Sequence, residues 1–190
     1  MTNHNSTILK ITIFFIASQI LLIIGLAGQG HFDYIRSILV TASLWLLYTF
    51  LEARYGLYMN HYVRVVVVIS LLCDGFGGYY LNLYATSVVF DKILHVFGSY
   101  SFSLFAYILV VQLLKYPLTR SFKFILVVSL GLSIGAFYEI LEFLTDTISH
   151  PPLPSQPSLL DTDLDMIGDL IGATIAAVHA TYKTFINLNF

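Results

Sequence analysis

Six long apolar stretches divide the chain, and shorter polar segments separate them. Each stretch has about 20 residues, the length of an α-helix that crosses the hydrocarbon core of a bilayer. The predicted spans are 8–28, 34–51, 62–82, 89–114, 121–145 and 163–183. Only the connection 146–162 is long, and its prolines favour extended backbone over helix. The pattern predicts an all-α integral membrane protein, a bundle of about six transmembrane helices with a proline-rich outer loop.

The composition excludes a soluble fold. The 190 residues are 57% hydrophobic and 11% charged, with a mean hydropathy of +0.81, whereas soluble domains contain roughly 25% charged residues. Six spans fill this length, so we predict a single transmembrane domain, 1–190. The formal net charge of −2 and the lack of a basic run exclude nucleic acid as a partner. Membrane lipid is the expected partner.

Basic residues set the predicted orientation, because Lys and Arg near span ends are retained in the cytoplasm. With the N-terminus inside, only Arg36 and Lys92 lie outside. The basic residues on the inner side are Lys10, Arg54, Arg64, Lys115, Arg120, Lys123 and Lys183. We therefore predict cytoplasmic N- and C-termini in a multi-pass protein of the cell membrane. The acids are distributed the other way, with Glu52 alone inside, so no charged path is expected across the inner halves of the spans.

Acidic side chains recur at helical spacing at the outer ends of three spans. Asp91 and His95 are four residues apart, so they share one face at the start of the fourth span. Asp74 lies beside a glycine-rich stretch in the outer half of the third span. The fifth span ends, and the sixth begins, with two further acidic stripes: Glu139, Glu142 and Asp146, then Asp161, Asp165 and Asp169.

The cost of burying these acids predicts a bound cation. An ionised carboxylate inside a bilayer costs roughly 3 kcal/mol, so five or six cost on the order of 15 to 20 kcal/mol if nothing compensates them. Protons, water in an open cavity or a divalent cation must compensate, because the outer half supplies only two basic side chains. Oxygen ligands with one imidazole suit Mg²⁺, Mn²⁺ or Ca²⁺ better than Zn²⁺.

A divalent metal is therefore the predicted cofactor. Its predicted ligands are Asp91, His95, Glu139, Glu142, Asp165 and Asp169. His95 and Glu142 are also the predicted catalytic residues, while Asp74 and Asp161 are further candidates for the site.

Structural alternatives exist for several of these residues. Asp91, Asp161 and Asp163 are typical of helix N-termini, where capping and the helix dipole favour acids. His95 is also compatible with a hydrogen-bonded polar core residue. Acids at a helix C-terminus oppose the helix dipole, so Glu139 and Glu142 are the hardest of these residues to explain structurally. Glycines and alanines at four-residue spacing in the last two spans predict close helix packing that brings the acids together.

The segments that carry these residues resemble a known family. They are 73–79, Asp91-Lys-Ile-Leu-His95, Tyr138-Glu-Ile-Leu-Glu142-Phe143 and Asp161-Thr-Asp-Leu-Asp165-Met166 through Gly172-Ala173. Together they resemble the YjdF-like family of bacterial and archaeal inner-membrane proteins and, more distantly, the VanZ-like pattern. The resemblance implies the six-helix fold and the same acids, but no activity, because that family has no assigned function.

Three functions fit these features. The first is a metal-dependent membrane enzyme that hydrolyses or transfers a lipid or lipid-linked phosphate. The second is a proton- or cation-coupled transporter that uses the same acids. The third is a membrane scaffold with a structural ion site. The sequence contains no G-x-S-x-G, H-E-x-x-H, Walker A or histidine-box motif, which removes several familiar enzyme classes.

Overall fold

A computed structural model describes residues 2–114, 118–151 and 154–185. Lys115, predicted to be cytoplasmic, and Pro152 of the predicted loop lie outside the described residues. Within these ranges all regular structure is helical, which confirms the predicted fold class. The α-helices are α1 (Thr2–Gln29), α2 (Phe32–Tyr55), α3 (His61–Leu72), α4 (Leu83–Thr86), α5 (Phe90–Leu114), α6 (Arg120–Ser149) and α7 (Leu159–Tyr182). A π-helical segment, Cys73–Tyr80, continues α3 through the glycine-rich stretch.

Six helical segments in the described part of the chain are long and apolar enough to cross a membrane, as predicted. They are Ser6–Gln29, Phe32–Tyr55, His61–Tyr80, Phe90–Leu114, Arg120–Ser149 and Leu159–Tyr182. The fourth, fifth and sixth predicted spans are therefore α5, α6 and α7. The cytoplasmic orientation of both termini stays a prediction.

The connection between α6 and α7 is shorter than the predicted loop 146–162. Helix α6 continues to Ser149, and α7 begins at Leu159, so both acidic stripes lie within helices. Ser158 caps α7, because its Oγ accepts a hydrogen bond from the backbone N–H of Asp161 at 3.2 Å. Asp146, inside α6, accepts hydrogen bonds from the backbone N–H groups of Ser155 and Gln156 at 3.0 and 2.8 Å. This carboxylate folds the loop back over the end of α6.

The helices group into two compact units, residues 1–86 and 87–190. The single domain predicted from the sequence stays a prediction, and each unit is described by itself. In the first unit, α1 packs against α2, α3 and the π-helical segment. Leu22, Leu26 and Ile38 form a buried cluster there. A Cβ on Gly75 would lie 2.9 Å from Ile38 Cδ1, so the glycine lets the π-helical segment approach this cluster.

The first unit contains a buried ion pair between α2 and α3. Arg64, in the first turn of α3, is fully buried, and its guanidinium donates to the Glu52 carboxylate near the end of α2. Both residues lie inside candidate spans, and the sequence assigned both to the inner side. Each charge neutralises the other, which is a tertiary contact that the spacing of residues along one span does not predict.

Small residues hold the three helices of the second unit close together. Helix α7 packs against both α5 and α6. A Cβ on Gly172 would overlap the backbone carbonyl of Val96 in α5, and one on Gly168 would lie 3.2 Å from the carbonyl of Lys92. On the α6 side, a Cβ on Gly131 would meet Ala173. The predicted close packing of these helices is confirmed, and it brings side chains of all three to one end of the unit.

Candidate metal centre

Three helix ends meet at what we call the acidic end of the second unit: the N-termini of α5 and α7 and the C-terminal half of α6. His95 on α5, Glu139 on α6 and Asp165 on α7 are buried here, with exposed fractions of 7%, 5% and 1%. Neighbouring residues on the same helix faces add further carboxylates. Helical spacing puts each set on one face, and the glycine contacts bring the faces together.

The Nε2 atom of His95 lies at the middle of a group of carboxylate oxygens. Glu139 Oε1 is 3.6 Å away, and Asp91 Oδ1 and Asp165 Oδ1 are each 3.8 Å away. One ligand atom from each of Asp91, His95 and Asp165 lies within 4.8 Å of the others. Ligands at right angles on an ion with bonds of about 2.1 to 2.4 Å are about 3 to 3.4 Å apart. The separations of 3.6 to 3.8 Å from His95 Nε2 are a few tenths of an ångström longer than those of such a coordination shell.

The second oxygen of each carboxylate is held by another side chain. Lys92 Nζ donates to Asp165 Oδ2 at 2.7 Å and to Asp91 Oδ2 at 3.1 Å. Gln156 Nε2 donates to Glu139 Oε2 at 2.7 Å and to the Glu139 backbone carbonyl at 2.8 Å. These bonds fix the carboxylate planes, so the remaining oxygens point toward His95 Nε2.

Two of those remaining oxygens are buried without a hydrogen-bond partner among the described residues: Glu139 Oε1 and Asp165 Oδ1. Leaving a buried anionic oxygen unpaired costs free energy, and a cation placed beside His95 Nε2 would recover it. The donor set at this point is one imidazole nitrogen and three carboxylate oxygens.

Asp169 contacts the opposite side of the imidazole ring. Its Oδ1 lies 3.3 Å from His95 Nδ1, whose N–H donates to the carboxylate. A proton on Nδ1 leaves the Nε2 lone pair available to a metal, and such carboxylate–histidine pairs orient metal ligands in proteins. Ser99 Oγ donates to the backbone carbonyl of Asp169 at 2.9 Å, and a Cβ on Gly135 would overlap its carboxylate. Asp169 is therefore packed tightly behind His95.

The other predicted site residues have different surroundings. Glu142 is half-buried within electrostatic range of His95 and Glu139, but makes no hydrogen bond or ion pair with the described residues. Asp161 binds Lys92 Nζ at 2.5 Å and makes no hydrogen bond or ion pair with His95, both of which are described residues. Asp74 belongs to the first unit, where its Oδ1 accepts a hydrogen bond from the Tyr84 hydroxyl at 2.6 Å. The ligand and catalytic roles predicted for these residues stay predictions.

Sequence reasoning missed two members of this cluster. Lys92 was counted only as one of two basic residues on the outer side, yet it binds three carboxylates. The sequence offered one signal for this role. Lys92 follows Asp91 directly and is the only basic residue on the predicted outer side of the last three spans. Gln156 gave no such signal, because it is a neutral residue in a proline-rich loop. Its contact with Glu139 depends on how that loop folds.

Comparisons with known proteins place the chain in a membrane protein family. A model of predicted membrane proteins, DUF2238, matches residues 9–184. An uncharacterised protein of Thermotoga maritima is 35% identical over 122 residues, which are 64% of this chain and 63% of that protein's length. No solved structure matches the chain. The family description supports the membrane character independently of the fold, while the YjdF-like name stays a prediction. Because the match extends over nearly the whole chain, the protein belongs to the DUF2238 family of predicted membrane proteins.

Proposed function

We propose that the second unit is a divalent-metal enzyme of the cell membrane that hydrolyses or transfers the phosphate of a lipid or lipid-linked substrate. The observation that carries the proposal is the arrangement around His95 Nε2, where three carboxylate oxygens converge at 3.6 to 3.8 Å. Lys92 and Gln156 already bind the other oxygen of each carboxylate, so the three oxygens that face His95 Nε2 remain for a cation.

The donor set decides the class of metal. Asp91, Glu139 and Asp165 supply oxygens, and His95 supplies the single nitrogen, so Mg²⁺, Mn²⁺ or Ca²⁺ suits the site better than Zn²⁺. Of the three, Mn²⁺ accepts a mixture of carboxylate and imidazole most readily. When bound, such a metal polarises a phosphoryl oxygen and makes a coordinated water more acidic.

The protein's own groups supply positioning and proton transfer. Asp169 holds the His95 ring so that Nε2 faces the converging carboxylates. Glu142 is committed to no hydrogen bond or ion pair in the described chain, which suits it to accept a proton from the attacking water. In hydrolysis, the water oxygen bonds to phosphorus, the bond from phosphorus to the leaving oxygen breaks, and that oxygen takes up a proton. The predicted orientation opens this site to the outer leaflet.

Metal content of the detergent-purified protein tests the first half of the proposal. After a chelator wash and reloading with Mn²⁺ or Mg²⁺, mass spectrometry is expected to find a near-stoichiometric ion. The double variant Glu139→Gln, Asp165→Asn should lose the bound ion. The control variant Asp163→Asn, which changes an exposed acid on the same helix as Asp165, should keep the ion. Failure of the wild-type protein to bind any divalent ion would refute the proposal.

Phosphate release from a panel of phospholipids and isoprenyl phosphates tests the second half. Glu142→Gln is expected to retain the metal and lose turnover, because it removes the proposed base and none of the converging oxygens. A metal-loaded protein that turns over no phosphate substrate would contradict the enzyme and favour a structural ion site or a cation transporter.

A further inference from the structure

An apolar groove begins at the acidic end of the second unit and runs along α5. Its volume is about 480 Å³, within the range of small-molecule sites in proteins. The lining residues are Lys92, Ile93, Val96, Phe97, Tyr100 and Ile175. Five of them follow one face of α5 at helical spacing, and Ile175 adds a wall from α7.

The length of the groove matches one leaflet of a bilayer. Eight residues separate Lys92 from Tyr100, which is about 12 Å along a helix. Half of a bilayer's hydrocarbon core is about 15 Å thick. The groove therefore runs from the end of a span to near its middle, which is the depth reached by one hydrocarbon chain of a lipid.

Tyr100, at the deep end of the groove, makes a polar contact within the protein. The Tyr100 hydroxyl and His179 Nδ1 are 2.7 Å apart, and their rings stack with centroids 6.1 Å apart. Above this point the backbones of α5 and α7 touch at Gly172, which leaves a depression flanked by side chains. A chain lying in this depression would meet aliphatic side chains and ring faces.

One side chain joins the groove to the candidate metal centre. The aliphatic part of Lys92 lines the groove, while its ammonium group reaches Asp161 and Asp165. A lipid whose chain follows the groove therefore has its headgroup beside Lys92 and the converging carboxylates. A phosphate at this position would meet the ammonium group and a bound divalent ion, which together offset the repulsion by the carboxylates.

We propose that this groove binds one hydrocarbon chain of an anionic phospholipid and places that lipid's phosphate at Lys92, next to the metal. The assignment rests on the proposed function, since it names the substrate class of the same site. It goes further in naming the path of the chain along α5 and the residue that contacts the headgroup.

The test uses the full-length protein in phosphatidylcholine nanodiscs that contain phosphatidylglycerol with a photoactivatable diazirine at mid-chain. Labelling, mapped by peptide mass spectrometry, is expected at groove residues of α5 and at Ile175. Ile93→Trp and Ile175→Trp should each lower this labelling by roughly tenfold, since excluding even two methylene groups from a site weakens binding by about that factor. Both positions are exposed, so the larger ring fits without disturbing the core.

A matched control and a second probe make the outcomes distinct. Leu113→Trp, on an exposed position of the same helix outside the groove, should label as the wild type does. A diacylglycerol probe with the same chain but no phosphate should label the groove less than phosphatidylglycerol. Labelling spread evenly over the exposed sides of the second unit, or unchanged by both tryptophan variants, would overturn the groove assignment. Metal content measured on the same samples reports separately on the proposed function, so a failure of either one is recognisable.

Discussion

Replacing Asp169 by Asn tests whether this residue positions His95 or is itself a ligand of the proposed metal. The change keeps the shape of the side chain and removes its charge, so the Nδ1–H of His95, 3.3 Å away, loses a carboxylate acceptor. Outer-shell partners of this kind contribute roughly 10- to 100-fold to metal affinity, or about 1.4 to 2.7 kcal/mol. Asp165→Asn, which removes one of the converging carboxylates, should cost more and serves as the comparison.

Calorimetric titration of the chelator-washed protein with Mn²⁺ measures these affinities. The wild type and Asp163→Asn are expected to bind Mn²⁺ most tightly. Asp169→Asn should bind it roughly 10- to 100-fold more weakly, and Asp165→Asn should bind it most weakly. If Asp169→Asn were as severe as Asp165→Asn, Asp169 would be a ligand, as its spacing in the sequence predicted. If it matched the wild type, the positioning role would be refuted.

Three further changes probe the charges and the packing. Lys92→Met removes a positive charge that repels a cation, and also the bonds that orient Asp91 and Asp165. The charge effect should be the larger, so divalent ions should bind at least about tenfold more tightly in the same titration. Unchanged or weaker binding would contradict this account. Gly172→Ala should lower the free energy of unfolding of the detergent-solubilised protein by about 1 to 3 kcal/mol, because the added methyl group overlaps α5. Gly28→Ala, which adds its methyl group in open space, should not lower it. Equal melting temperatures of the two variants would count against the close contact. Arg64→Met should lower the free energy of unfolding by about 3 to 5 kcal/mol, because it leaves Glu52 buried without this partner. Adding Glu52→Leu should recover much of the loss. A double variant no more stable than Arg64→Met would refute the importance of the pair.

The sequence predicted the spans and the acidic faces because both depend on local periodicity. Asp91 and His95 lie on one face of α5 as their four-residue spacing requires, and Asp165 and Asp169 do the same on α7. Glycine spacing in the last two spans further predicted that α6 and α7 pack closely, as they do at Gly131.

The details of the candidate site depend on tertiary contacts that periodicity does not encode. Asp146 shares a stripe with Glu139 in the sequence, yet it binds backbone N–H groups of the following loop. Glu139 instead meets Gln156 and His95, because the loop folds back and α6 approaches α5. Which oxygen of each carboxylate points inward is decided by Lys92 and Gln156, and neither contact follows from spacing along one helix.

The contacts of Lys92 and His95 also impose an order on biogenesis. Their partners Asp161, Asp165 and Asp169 lie 69, 73 and 74 residues later in the chain. Synthesis proceeds from the N-terminus, so α5 enters the membrane before the carboxylates on α7 have been made. A nascent chain that ends before α7 carries Lys92 and His95 without the α7 carboxylates that pair with them. The candidate metal centre is thus assembled only after α7 has been made, so an ion that needs ligands from both α5 and α7 would bind only after that step.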